Sequence, residues 1–87
     1  MTGISAEQCR ASRAWLGLSA AALGEKADVG TETVRRVERG TIVHASTLIS
    51  IRAVFETHGV KFVFDRNGEA LGIEVHIPRG TGDVTNA

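Results

Sequence analysis

The chain has no excess of either charge: ten Lys and Arg balance ten Asp and Glu, for a formal net charge of zero. Electrostatic attraction to phosphates usually shows as a basic excess, so net charge alone does not support DNA binding and only modest non-specific affinity is expected. A single cysteine, Cys9, excludes an internal disulfide and fits a reducing compartment. No apolar run approaches the roughly 20 residues of a membrane span, and no basic-then-apolar leader precedes a cleavage site, so a cytoplasmic protein is expected. The three histidines, His44, His58 and His76, have no metal-ligand spacing with Cys9. There is also no phosphate-cradling glycine loop and no nucleophile beside a base motif. The reading is a non-enzyme without cofactor or metal. Repeats and low-complexity segments are absent too. The only proline, Pro78, comes late enough to block further strand pairing rather than to break a helix.

What is present is one small domain of 87 residues, near the size at which a single core is only marginally sufficient. Its informative stretch is Leu18 to Gly40. Ser19 is a good N-cap for a helix from Ala20 to Ala27, in which Leu23 and Ala27 share a face. Asp28 tolerates a left-handed turn and Gly30 offers a second flexible point. A second helix follows from Thr31 to Arg39, with Val34 and Val37 buried and Gly40 as its stop. Thr31, Glu32, Thr33, Arg35, Arg36 and Arg39 all point outward. Residues 1–60 hold seven basic and six acidic groups, so the signal is the local placement of three arginines on one short helix.

These features make a helix-turn-helix pattern. Leu16-Gly17-Leu18-Ser19, the Leu23/Ala27/Val29 core triplet and Thr33-Val34-Arg35-Arg36-Val37-Glu38-Arg39-Gly40 resemble the Cro/phage-repressor (XRE-type) family over roughly residues 6–59. The resemblance implies a mainly α fold, a repressor-like four-helix domain over 5–59. It also implies a DNA-binding transcriptional regulator of bacterial or phage type. Ala20-Ala21-Ala22 replaces polar residues that in the family would touch DNA. Asp28 replaces the usual turn glycine, and Gly30 the usual Ser or Thr cap. By the resemblance Thr31, Glu32 and Arg36 face bases, with Arg35 able to reach a base or a phosphate. Thr31 would meet a thymine methyl, Glu32 a cytosine amino group, and Arg36 a guanine edge in bidentate fashion. Ser19, Thr33, Arg39 and His44 are the candidate phosphate contacts, His44 alternatively being a solvated loop residue. Arg13 is either a surface charge or, as the family implies, the partner of Glu38 in a structural ion pair.

The remaining elements are read from patterning. Met1 to Ile4 should be loose. Ser5 and Gln8 form a capping box that starts a helix to about Leu16, with Cys9, Arg13 and Leu16 toward the core. A last helix runs from about Ser46 to His58, closing the core with Leu48, Ile51, Val54 and Phe55, and Gly59 caps it. From Val60 the period becomes two. Val60, Phe62 and Phe64, an Asn67-Gly68 turn, then Leu71, Ile73, Val75 and Ile77 predict a β-hairpin over 60–78. An isolated hairpin is marginal in water and its edge is a template for a second chain. The hairpin is thus read as a homodimerisation element, with Phe62, Phe64, Leu71, Ile73 and Val75 at the contact. Trp15 covers a core edge there, against the C-terminal segment or the second subunit. Arg79 to Ala87 should be a disordered tail.

Two functions follow. The first is a homodimeric regulator reading an inverted repeat in double-stranded DNA, as a repressor, its own promoter among the targets. The second is an antitoxin-like module that masks a protein partner.

Overall fold

The computed structural model describes residues 3–76, and the expectations for Ile77, Pro78 and the tail at 79–87 lie outside them. Four helices and one antiparallel hairpin follow in order: α1 (Ala6–Leu16), α2 (Ala20–Ala27), α3 (Thr31–Glu38), α4 (Ala45–Thr57), β1 (Val60–Phe64) and β2 (Ala70–Val75). No helix among the described residues is long and apolar enough to cross a membrane.

The helix ends have local causes. Ser5 accepts from the Gln8 N–H while the Gln8 side chain accepts from the Ser5 N–H, so both ends of the capping box are made. Gly17 closes α1 at φ 71°. At the far end of α3, Arg39 caps in a right-handed conformation and Gly40 makes the left-handed turn at φ 79°, ending the helix one residue earlier than the sequence reading. His44 caps α4, which begins at Ala45 without a side-chain cap bond.

The core lies between the helices and one face of the hairpin. Leu23, Val34, Ile51 and Phe55 are fully buried, and Cys9, Ala27, Val37, Val60 and Phe62 complete the layer. Each large aliphatic or aromatic side chain withdrawn in this way stabilises the fold by about 1.5–3 kcal/mol. Ile4 belongs to this core at 5% exposure, which corrects the expectation of a loose segment through residue 4. An isoleucine one position before an N-cap can fold back onto its own helix, and here it is covered.

The hairpin pairs Val60 with Val75, Lys61 with Glu74, Phe62 with Ile73 and Val63 with Gly72. Then the register slips, so that Phe64 faces Ala70. Leu71 is the surplus residue of this bulge, and a bulge turns one side chain off the regular alternation. Leu71 is 65% exposed, whereas Ile73 and Val75 are half-buried. Nor does the hairpin stand alone. β1 packs on α4 and β2 on α1. Phe62, expected at a contact between subunits, turns its ring onto Phe55 at 6.1 Å and is 5% exposed, so it has little surface to offer a second copy. Arg52 lies over the rings of Phe62 and Phe64 at 5.5 and 5.7 Å, covering β1 from the α4 side.

The residue that joins the two parts is Gln8. It is 3% exposed, and its Nε2 donates to Val63 O at 3.2 Å and Gly72 O at 2.9 Å. A buried amide with all its partners in place fixes the hairpin over α1. Gln8→Met keeps the side-chain volume and removes these bonds. It should cost about 1–3 kcal/mol in urea-induced unfolding; an unchanged midpoint would mean the amide holds nothing.

Candidate nucleic-acid interface

The unit formed by α2 and α3 is built around its turn. The Ser19 hydroxyl accepts from Ala22 N–H at 2.9 Å, which starts α2 and leaves the hydroxyl proton free to donate elsewhere. Asp28 takes the left-handed conformation at φ 60°, ψ 44°, the one positive-φ non-glycine among the described residues. Val29 N–H then returns to Gly24 O at 2.9 Å. Gly30 is not a flexible point after all: at φ −71°, ψ 156° it is an ordinary extended N-cap. The glycine that matters is Gly24, within α2. A Cβ there would lie 2.7 Å from Val29 O, inside contact distance of a backbone atom that cannot swing away. The close approach of the turn to α2 requires the missing side chain. The sequence reading missed this position, although a glycine in a helix interior is itself a signal of close approach.

α3 is held from beneath. Arg13 Nε and Nη2 donate to the two oxygens of Glu38 at 2.9 Å each, and Arg13 Nη1 also donates to Leu18 O at 3.1 Å. The Glu38 side chain is 9% exposed and that of Arg13 28%, so this is a partly buried fork-to-fork pair rather than a surface one. Cys9, fully buried, donates its thiol to Glu38 Oε2 at 3.3 Å, and Arg10 reaches the Glu38 carbonyl. Burial pushes the Cys9 thiol far above its usual range, and the hydrogen bond to Glu38 adds to this, so it stays a neutral donor. Spacing placed Cys9 in the core but did not show the thiol bonded to the carboxylate. Hydrogen bonds from Arg13 hold the Glu38 carboxyl below the usual carboxylate range, against the opposing effect of burial.

The outer side of α3 carries the remaining candidates. Val34 and Val37 face inward, while Glu32, Arg35, Arg36 and Arg39 are exposed and Thr31 and Thr33 half-buried. Arg39 donates to Glu32 at 2.9 Å, two turns along the helix. This bond lowers the Glu32 pKa, with the Arg39 charge acting in the same direction. Arg35 and Arg36 form no salt bridge with any described residue. The loop before α4 closes a shallow cleft of about 340 Å³ against α3, lined by Thr33, Arg36, Ile42, Val43, His44 and Thr47. Thr33, Arg36 and His44 thus share one surface, whereas Ser19 stands at the start of α2. Trp15 is 58% exposed and lies outside this surface.

Two outcomes follow from this geometry. Gly24→Ala, although alanine is the better helix former, should lower stability by about 1–2 kcal/mol, because the Val29 carbonyl must move. A gain in thermal midpoint would contradict the close approach. Glu38→Gln should cost about 2–3 kcal/mol at neutral pH by leaving Arg13 with a weaker partner. Because the folded-state pKa of Glu38 is lowered, its contribution is complete above the ordinary glutamate value of about 4.3 and is lost as pH falls through the lower folded value. The difference between the wild-type chain and Glu38→Gln, read from urea midpoints, should therefore hold from pH 7 to about 5 and close on further acidification. A difference that persists at the acid end would assign the loss to packing.

No known protein-family model matches the chain, and no curated protein matches it in sequence.

Proposed function

We propose that the chain is a sequence-specific regulator of transcription that binds double-stranded DNA as a homodimer on an inverted repeat. The repressor-like helix-turn-helix reading of residues 5–59 is part of this proposal. The observation that carries it is α3 itself. A tight turn fixes the helix to α2, and the Arg13–Glu38 pair fixes it from below, while Arg35 and Arg36 extend outward without acidic partners among the described residues. An exposed helix with a rigid base and free guanidinium groups suits insertion into a major groove. Arg36 is the guanine reader and Arg35 reaches a base or a phosphate. Thr31 and Glu32 address the neighbouring bases. Thr33, His44 and Ser19 serve the phosphates on either side, together with Arg39, whose bond to Glu32 must be exchanged for the one to DNA. The protein would act as a repressor, with its own promoter among its targets. The second strand of the hairpin supplies the contact between copies.

One observation favours a second reading, an antitoxin-like module that masks a protein partner. Ile42 is 91% exposed and Ile49 67% exposed, both beside or on α4, and the chain as a whole carries no net charge. Scattered exposed isoleucines are common on soluble proteins, so this reading stands second.

Titration of the purified protein against the DNA upstream of its gene and against a scrambled duplex, at several salt concentrations, separates the two. Promoter-selective binding is expected, with Arg36→Ala losing about 1–3 kcal/mol on the promoter and little on the scrambled duplex. Equal and weak binding to both duplexes would sink the DNA reading in favour of the masking one.

A further inference from the structure

Ile42 is the most exposed large apolar side chain among the described residues, with 91% of its surface open to water. Its place is set by the way the chain leaves α3. Gly40 turns left-handed, and two bonds of 3.0 Å, Gly40 N–H to Val37 O and Thr41 N–H to Arg36 O, fix the direction in which residues 41–43 depart. Ile42 thereby borders the cleft lined by Thr33, Arg36, Val43, His44 and Thr47. On its other side it borders a second shallow cleft with Ile4, Val37 and Leu48, so it stands as a ridge between the two. Whatever covers this ridge must also suit its neighbours. None of the side chains lining the first cleft is acidic, and Arg36 has no salt-bridge partner among the described residues. The His44 ring and the hydroxyls of Thr33 and Thr47 can all hydrogen-bond, and α4 begins there with no side-chain cap for its first N–H groups. A cationic, donor-rich cleft with an aliphatic ridge fits an anionic molecule that carries an apolar group close to its charge. DNA supplies both, phosphates along the backbone and the C5-methyl of thymine in the major groove. A protein surface over Ile42 would enclose Arg36 as well and would need a carboxylate for it.

We propose that Ile42 is a base-reading residue, its side chain packing on the C5-methyl of a thymine beside the guanine assigned to Arg36. The loop after α3 then reads sequence as well as phosphate. The proposal rests on the DNA reading above and adds to it a contact from outside α3. It also takes Ile42 away from the masking reading. A deoxyribose would offer similar apolar surface, but at every nucleotide, so covering Ile42 with it would add affinity without selectivity. The thymine methyl is favoured because Ile42 shares its cleft with Arg36, the side chain directed at a base edge in that reading.

Uracil differs from thymine only by the missing C5-methyl, so the DNA upstream of the gene, made once with thymidine and once with deoxyuridine, tests the contact. The wild-type chain should bind the uracil fragment about tenfold more weakly. The methyl contact expected of Thr31 contributes to that loss, and a cycle with Ile42→Ala separates the two. Ile42→Ala should bind the thymine fragment about three- to tenfold more weakly than wild type, and should lose correspondingly less on going to uracil. Because the side chain lies almost wholly in water, the thermal midpoint should not change. Ile49→Ala, at the exposed isoleucine of α4, should match the wild type on every duplex. An equal loss for Ile42→Ala on both fragments would place the side chain on a sugar and overturn the inference, as would unchanged binding by Ile42→Ala. Selection of the promoter over a scrambled duplex by the wild type scores the DNA reading separately. If that selection is absent, both readings fall and Ile42 passes to a protein partner; if it is present, the cycle alone decides the role of Ile42.

Discussion

The carboxylate of Glu38 lies where α1 and α3 meet, and few other groups in the molecule are so fully committed. Both oxygens accept from Arg13, one also accepts from the Cys9 thiol, and the Glu38 backbone carbonyl accepts from Arg10. A carboxylate so far withdrawn from water is costly unless its partners stay in place, and that requirement fixes the orientation of α3. The turn at Asp28 then settles where α2 lies, because Gly24 lets the Val29 carbonyl of the turn close onto α2. The arginines of α3 point outward because the residue at its C-terminal end is anchored inward.

Charge bears on function here through placement rather than sum. The chain is neutral, and on α3 itself Glu32 neutralises Arg39 while Glu38 is occupied by Arg13. Two arginines are left for an approaching polyanion. Under the DNA-binding proposal this is a sparing arrangement. Attraction to an arbitrary duplex would stay weak, and selectivity would depend on the few side chains proposed to meet base edges. The Glu32–Arg39 bond sharpens the distinction, since both groups must find replacements before either gains from letting go.

Much of this was legible in the sequence because the signals are local. Ser5 with Gln8, Ser19, Asp28, the Asn67-Gly68 turn and the change from helical to alternating spacing at Val60 each name a boundary through short-range chemistry. What escaped is long-range. Nothing in the neighbourhood of Gln8 says that its amide spans 55 residues to Val63 and 64 to Gly72. Alternation alone set Leu71 in one row with Ile73 and Val75, and the bulge that breaks this row depends on how two strands of unequal length meet. Phe62 was assigned to a subunit contact because a hairpin considered alone lacks a surface to lie on, yet Phe55 and Arg52 provide one. Gly30 and Gly24 exchange importance for the same reason, since only the packed turn shows which of them has a backbone atom pressed against it.

The Gln8 amide also bears on how the molecule comes apart. Its oxygen completes the helix start at Ser5, and its nitrogen holds one carbonyl from each strand, so the two ends of a single rigid group belong to different parts of the fold. If the hairpin lifts away, the nitrogen is left unpaired and the amide is free to rotate, which releases Ser5 and frays the first turn of α1. If that turn frays first, both strands lose their tether. The amide thus couples the opening of the first turn of α1 to that of the hairpin, which favours a single cooperative transition over separate melting of the two.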